Sequence, residues 1–463
     1  MKSQDIRNAG RRQPSVPGLA ELGAGRIRYS ERMMPLLAAL CARFGVEKPF
    51  AGLSVAACLH VTAETAVFIR ALRAGGARVA LAASNPLSTQ DDIAEALAAE
   101  GVQVFAKSGV DRVTYYEHIL AALDACATPA PSGPNAETPA SIGAKSAFEP
   151  DGRSADEANL RGPDLVIDDG GDLVSTLHTE RQALLGRVRG GCEGTTTGVL
   201  RLRRMAADAT LAFPVIAASD TPVTRIMDNT HGTAQSVIDG LLRASGVLLA
   251  GKTVVVAGFG ACGSGIADSA RALGARVVVT EVNPVRALDA VLRGFRVLPI
   301  ADAAPIGEVF ITATGSTEVI TVEHLAVLRD GAILANAGHF DVEIDVRALA
   351  DMAVAVETDV RPHADAYELP DGRRLLLLAE GRVVNLVAAD GHPPEVMDLA
   401  FGIEALALAR LAASVQQLPP GVHPVPPDID AEAARLVLAA LGARLDTLTK
   451  AQQAYQANWH LGS

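Results

Sequence analysis

The sequence predicts an α/β protein of two doubly wound domains. Short apolar runs alternate with Ala-rich helical runs from about residue 50 onward. A glycine turn between two of these runs carries a dinucleotide fingerprint. The 463 residues are 49% hydrophobic but only 4% aromatic, which suits the aliphatic core of layered α/β sheets.

Leu53–Cys58 reads as the first strand, an apolar run that stops at polar His60. Ala63–Ala74 has helical spacing, and Ala77–Ala82 returns to a strand. Asp91–Glu100 reads as a helix and Val102–Phe105 as a strand, and the runs Asp164–Ile167 and Pro214–Ala217 continue the alternation. Residues Ala127–Gly162 interrupt it. They are rich in Pro, Ser, Ala, Gly, Asn and Glu without periodicity, which predicts a disordered surface insertion. Near the end, Pro419–Pro427 is a Pro-rich loop, Ala431–Leu445 has helical spacing, and residues 441–463 form a C-terminal helix or tail.

The fingerprint lies between two strand runs, Thr253–Ala257 and Arg276–Thr280. After the first comes Gly258-Phe259-Gly260-Ala261-Cys262-Gly263, then a helical pattern. Gly258 permits a tight turn, Gly260 lets backbone approach a pyrophosphate, and Gly263 lets the helix pack close to the strand. The pyrophosphate would rest on the positive end of the helix. Glu281 ends the second strand, where an acid holds the adenosine ribose hydroxyls and favours NAD over NADP.

The formal charge of −12 argues against a nucleic-acid partner. No apolar run is long enough to span a bilayer, and the polar start MKSQDIRNAGRRQPS carries no signal-peptide core and reads as a disordered lead-in. Cys41, Cys58, Cys126, Cys192 and Cys262 are scattered without metal-type pairs, so we expect reduced thiols in a cytoplasmic protein and no metal site.

Open α/β sheets place their sites where polar groups follow apolar strands. Four such segments stand in the first half: Cys58–Glu64, Ser84–Asp91, Ile167–Asp172 and Asp228–Gly232. Taken singly, each also has a bland reading, with Thr62 and Ser88 as helix caps and Asp169 and Asp172 as turn caps. In the second half, Thr312–Gly315 and Ala335–His339 are strand-end loops that can touch nicotinamide or ribose. Asn385 and His392 flank the return to the first domain.

These motifs resemble those of the S-adenosylhomocysteine hydrolase family, from about Gly18 to Tyr455. The similar stretches include CLHVTAETAV, NPLSTQDD, DDGGDL, TTTGVLRL, GKTVVVAGFGACGSG, GHFDVEID, LLLLAEGRVVNL and DGHPPEVM. The resemblance implies a split substrate domain, residues 1–232 and 391–440, with a Rossmann NAD domain inserted at 233–390. It implies tightly held NAD, transient oxidation of a nucleoside 3′-hydroxyl, acidification at C4′ and loss of the 5′ group. His60 and Asp169 match the groups that move protons around C4′ and C5′. Asp228 and Asn229 match the pair near the 3′-hydroxyl and nicotinamide, and His339 matches the histidine on the 5′ side. Thr62 and Glu64 match adenine-side contacts, Asn85 and Gln90 fall in a matching substrate stretch, and His392 matches a histidine that helps close the site. Thr195, Thr196, Thr197, Ala261, Cys262, Thr314, Gly338 and Asn385 fall in cofactor-side stretches, beside Gly258, Gly260, Gly263 and Glu281. A homo-oligomer, dimer or tetramer, acting on a small adenine nucleoside is also implied.

This chain departs from the family pattern at informative places. Glu193-Gly194-Thr195 stands where the family has a second glutamate that binds ribose hydroxyls. Thr224 stands at the lysine that helps deprotonate the 3′-hydroxyl; its neighbour Arg225 stays protonated and is a poor base. Ala261 replaces an acid, and the family's C-terminal Lys and Tyr tail, which reaches the NAD of a neighbouring protomer, has no counterpart before Ser463. Three functions follow from this pattern. The first expectation is a nucleoside 4′,5′-dehydratase of specialised, angustmycin-type antibiotic metabolism. The second is an authentic adenosylhomocysteinase that splits S-adenosylhomocysteine into adenosine and homocysteine. The third is a non-catalytic NAD-binding regulatory subunit.

Overall fold

The computed structural model describes residues 18–86, 88–129, 160–413 and 418–460. Two sheets organise them. The first contains β1 (Ser54–Leu59), β2 (Arg78–Ala83), β3 (Gln103–Phe105), β6 (Leu165–Asp168), β7 (Gly190–Glu193), β8 (Pro214–Ala217) and β17 (Gly421–Pro424), in the order β17-β8-β7-β6-β1-β2-β3. Every neighbouring pair in it is parallel. The chain runs outward through β1, β2 and β3, then restarts at β6 on the other side of β1. That reversal opens a crevice at the carboxyl ends of β1 and β6.

The second sheet contains β9 (Thr253–Ala257), β10 (Arg276–Thr280), β11 (Arg296–Val297), β12 (Val309–Thr312), β13 (Ile333–Asn336), β14 (Ala355–Arg361), β15 (Ala364–Glu368) and β16 (Arg374–Leu378). Its order is β11-β10-β9-β12-β13-β16-β15-β14. Here the reversal lies between β9 and β12, directly behind the glycine turn. The edge is an antiparallel β14–β15–β16 meander. The protein is thus a doubly wound domain that resumes with β17 after an inserted Rossmann domain.

The first sheet is covered by aliphatic helices. Leu19–Arg32 and Pro35–Glu47 precede β1, and the long Pro394–Ala413 helix returns from the second domain into the first core. Leu399, Phe401, Ile403 and Leu408 of that helix share a core with Val55, Leu59 and Phe68, and the Phe68 and Phe401 rings stack at 4.8 Å. At its start, Asp398 accepts from the N–H groups of Leu36 and Leu37 at 2.8 and 2.7 Å, supplying a cap that Met34 does not.

Strand ends expected at Leu53–Cys58, Ala77–Ala82 and Asp164–Ile167 each move on by one residue, and the C-terminal part shifts further. The helix expected at Ala431–Leu445 spans Pro427–Ala440. Pro427 suits the first helical position, where an N–H has no partner anyway, and Gly442 turns left-handed (φ 70°) just past the end. A further helix, Lys450–Ala457, opens on a capping box of Thr449 and Gln452. Of the expected insertion, residues 130–159 lie outside the described residues, as does the expected lead-in at 1–15. At the insertion's two ends, β4 (Thr128–Pro129) and β5 (Leu160–Arg161) pair antiparallel.

Candidate active site

His60 leaves the end of β1 and Asp169 the end of β6, so the crevice brings them together. Asn85 follows β2, and its loop carries Ser88. His60 Nδ1 lies 2.6 Å from Ser88 Oγ, which is also 3.2 Å from the Asn85 carbonyl. With the Ser88 proton on the Asn85 carbonyl, the imidazole proton sits on Nδ1 and Nε2 keeps its lone pair; with the Ser88 proton on Nδ1, the tautomer is reversed. Burial, with His339 and His392 nearby, pushes His60 down to about 4. It is a neutral base at neutral pH.

The backbone N–H of His60 donates to Asp169. Burial and the facing Asp228 push the Asp169 carboxyl up to about 7, against that one favourable bond. The three carboxylates of Asp168–Asp172 therefore separate by role. Asp168 accepts from Val174 N–H at 2.8 Å. Asp172 holds Arg201 at 2.8 Å and accepts from the Tyr115 hydroxyl at 3.0 Å. Asp169, by contrast, faces the crevice with no side-chain partner among the described residues. The glycines at 170 and 171 have φ of 111° and 79°, a turn that side-chain-bearing residues rarely adopt. Buried Glu193, at the end of β7, braces it: one oxygen accepts from Gly170 N–H, Thr195 N–H and Thr195 Oγ1 at 2.7–2.9 Å.

Asp228 and Asn229 sit on a π-helical segment, Arg225–Gly232, the kind of irregularity that gathers at functional sites. His392 Nδ1 is 3.4 Å from Asp228 Oδ1, and its Nε2 lies 3.2 Å from Thr233 Oγ1. Burial raises Asp228, and His392 partly offsets this. Asn229 Oδ1 and Thr233 Oγ1 each lie 3.9 Å from Cys262 Sγ, and burial pushes that thiol up to about 11. Thr224 is buried, and its hydroxyl is committed to the Ala218 carbonyl at 3.1 Å and to Thr221 Oγ1 at 2.9 Å. Arg225 points to solvent.

His339 approaches the same turn: a Cβ on Gly170 would lie 3.6 Å from its Nε2. Its ring meets Phe340 edge-on at 4.7 Å. Asn85, Ser88, His339, Phe340 and Arg382 line a small cavity of about 160 Å³. A larger cleft of about 600 Å³ is lined by Ser30, Glu64, Gln90, Ser236, Gly391 and His392. Glu64 accepts from Ser30 Oγ at 2.7 Å, and Gln90 Oε1 is buried without a partner. Thr62 does cap its helix, accepting from Thr65 N–H at 3.4 Å. Ser88 caps nothing and serves His60.

On the second sheet, Gly258 (φ 97°) is tight against the β12 loop, where a Cβ would lie 2.7 Å from the Ala313 carbonyl. A Cβ on Gly263 would collide with the Gly258 carbonyl oxygen, whereas one on Gly260 would meet only the Arg286 guanidinium at 3.7 Å. Close helix packing and an open approach thus fall on the glycines that need them, at the N-terminus of the Ala261–Ala272 helix. Glu281 accepts from Phe259, Val282 and Asn283 N–H at 2.7–2.8 Å. Burial raises its carboxyl, but these bonds outweigh burial and hold it below its ordinary value. Thr314 is set by buried Glu343, which accepts from its N–H and hydroxyl at 3.0 and 2.7 Å, and Gly338 abuts the same carboxylate. Asn385 donates to Ser236 Oγ at 3.1 Å, while its Oδ1 is buried and unpartnered. This glycine cradle and the orphaned amide oxygen fit a nicotinamide dinucleotide. Thr195 caps the helix Thr196–Ala207, whereas Thr196 is exposed and Thr197 half-buried on its first turn.

Sequence reasoning missed three buried acids, Glu193, Glu343 and Glu404. Glu193 and Glu343 act through loops and left little trace. Glu404 left a signal, a single carboxylate in the middle of an otherwise apolar run, Ala400–Ala409. The structure aims it at Gly194: a Cβ there would lie 2.8 Å from Glu404 Oε1 and collide with Asp169 Oδ1.

Fold and site together define an NAD-dependent enzyme with proton-transfer groups set against a dinucleotide cradle. Residues 17–135 match the model of S-adenosyl-L-homocysteine hydrolase, and residues 229–391 match that of its NAD-binding domain. The chain is 46% identical to the adenosylhomocysteinase of Thermosynechococcus vestitus, over 96% of this chain and 95% of that one. It is 47% identical to that of Aquifex aeolicus and 48% to that of Aeropyrum pernix, each over 96% of this chain and 98% of the relative. The solved dipicolinate synthase structure from Bacillus halodurans aligns at 15% identity over 79% of this chain and 100% of that one, with a TM-score of only 0.45. The chain belongs to the S-adenosyl-L-homocysteine hydrolase family. It is an enzyme that uses NAD, so the regulatory-subunit expectation is set aside.

Proposed function

We propose that this enzyme splits S-adenosylhomocysteine with one water into adenosine and homocysteine, by transient 3′-oxidation, 5′-elimination, addition of water at C5′ and return of the hydride to C3′. The relatives are named for that activity, and they support it over the dehydratase expected from sequence. The observation that carries it is the meeting of neutral His60 with Asp169, whose carboxyl changes charge near pH 7, at one sheet crevice. Elimination across C4′–C5′ needs a base and an acid, and these two environments push such a pair apart in pKa.

Bound NAD supplies reversible hydride removal from the sugar C3′. Gly258, Gly260 and Gly263 would cradle its pyrophosphate, Glu281 its adenosine ribose and Asn385 its carboxamide. His60, in the tautomer that leaves Nε2 free, takes the C4′ proton, and protonated Asp169 gives a proton to the departing 5′ sulfur. His339 borders the 5′ side, beside the small cavity. Asp228, oriented by His392 at 3.4 Å, would serve the 3′-hydroxyl in place of a lysine. Glu64, Gln90 and His392 take the adenine in the larger cleft. We assign residues 1–232 and 391–440 to substrate, 233–390 to NAD, and a homo-oligomer as the working assembly. The exposed Val285, Leu288 and Leu292 on one short helix offer apolar surface for it.

A second reading, 4′,5′-dehydration of a nucleoside with an altered sugar, rests on Gly194 and on the committed Thr224 hydroxyl. Mass spectrometry after incubation with S-adenosylhomocysteine and with adenosine separates the two. Homocysteine release supports the first reading. An adenine nucleoside lighter by one water, with no homocysteine released, overturns it in favour of the second.

A further inference from the structure

We propose that Glu404 is a substrate-binding residue, a carboxylate delivered from the Pro394–Ala413 helix to the sugar in place of one missing at Gly194. The proposal rests on the nucleoside reading above. Three observations carry it.

The first is position. Glu404 lies in the middle of the helix that returns from the NAD domain, among Ile403, Ala405 and Leu408 of the first core, and is 3% exposed. A carboxylate in such a core costs several kcal/mol unless something compensates for lost water.

The second is the absence of compensation within the protein. Glu404 Oε2 is buried with no hydrogen-bond partner. Asp169 and Asp228, both acids, face it with no cation among the described residues to offset them, so burial and these two neighbours raise the Glu404 carboxyl well above its ordinary value and favour its protonated form. A structural carboxylate would be paired; this one is surrounded by the two acids assigned to the reaction. A sugar hydroxyl is a neutral donor, so it can satisfy Oε2 without a counter-charge.

The third is the fit to Gly194. The φ at Gly194 is not in the left-handed range, so the backbone does not demand glycine. Space does: any Cβ would lie 2.8 Å from Glu404 Oε1 and press on Asp169. Both contacts are to the ends of side chains, so a side chain at 194 would push the Asp169 and Glu404 carboxyls from the places they hold, and glycine at 194 admits both. A carboxylate entering from the helix reaches the sugar from a different direction than one entering from the β7 loop. Glu404 thereby becomes a determinant of which hydroxyl pattern is accepted.

The test compares adenosine, 2′-deoxyadenosine and 3′-deoxyadenosine binding to the NAD-loaded wild type and Glu404→Gln by calorimetry. One deoxy analogue should bind the wild type about 10- to 100-fold more weakly than adenosine, the usual cost of leaving a buried hydrogen-bonding group unsatisfied. Glu404→Gln should weaken adenosine by a similar factor and compress that analogue's ratio to about 3-fold or less. Should Glu404→Gln lose its NAD, Glu404→Asp, which keeps the carboxyl and withdraws it by one methylene, is read in the same way. Unchanged ratios for both analogues overturn the proposal and leave the nucleoside reading standing. A wild type that binds none of the three nucleosides overturns both.

Discussion

Asp169→Asn should gain stability over the wild type as pH rises, while losing activity at every pH. The Asp169 carboxyl moves from 3.8 to about 7 on folding, chiefly through burial and then through Asp228. At ~1.4 kcal/mol per tenfold change in proton affinity, that rise bounds the cost of ionising it in the folded state at ~4 kcal/mol. Its half-buried surface still meets solvent, so we expect ~1–2 kcal/mol. The sign follows from linkage. Below about pH 4 both folded and unfolded chains hold the proton and nothing is lost. Between about 4 and 7 the unfolded chain ionises first, so folded stability falls with pH. Above 7 both are ionised and the full cost is present. Asparagine carries no such cost. Chemical denaturation of the two NAD-loaded proteins at pH 5 and pH 8 reads the effect. About a third of the cost is already present at pH 5, so the variant's advantage should be larger at pH 8 by ~1 kcal/mol, with kcat lower by roughly 10²–10⁴-fold. An advantage that is flat or shrinks from pH 5 to pH 8 refutes the buried-acid assignment.

Glu281→Ala removes both the ribose contact and the brace on three backbone N–H groups, so NAD retention after gel filtration should drop by tenfold or more; full retention contradicts the cradle. Thr224→Lys offers a base at the 3′-hydroxyl, and S-adenosylhomocysteine turnover should rise by at least tenfold; no gain in a variant that keeps NAD would show that Asp228 suffices. Joining Pro129 to Leu160 through a short turn should leave the melting temperature within about 2 °C, because the ends already pair; a larger fall would show that residues 130–159 contribute packing.

Several elements were legible because their local signals were complete. Ala63–Ala74, Pro214–Ala217, Thr253–Ala257 and Arg276–Thr280 fall where the sequence places them, since their apolar runs give way to glycine or polar residues at or just past the end. The first strand, the Ala77–Ala82 strand and the Asp164–Ile167 strand each slip by one residue, because pairing with neighbours, not local pattern, fixes strand ends. β7 was not legible: Gly190-Gly191-Cys192 has no strand propensity and forms only because β6 and β8 flank it. The antiparallel β14–β15 edge was also missed, since parallel alternation was the expectation throughout. At the site, His60, Asp169 and Asp228 were visible as polar residues in strand-end or loop segments, but their division of labour was not. Asp168, Asp169 and Asp172 look alike in sequence, and only Val174 N–H, Arg201 and Tyr115 reveal which two are structural. Glu404 reaches Gly194 across about 210 residues of chain, and no local pattern records such a contact.

The most direct test is proton exchange at C4′. NAD-loaded enzyme incubated with adenosine in D₂O should place deuterium at C4′, as 3′-oxidation acidifies that position and His60 moves the proton. His60→Ala should keep its NAD and lose the exchange by roughly 10²-fold or more. Cleavage of S-adenosylhomocysteine with no exchange at C4′, or exchange undiminished in His60→Ala, would contradict the account.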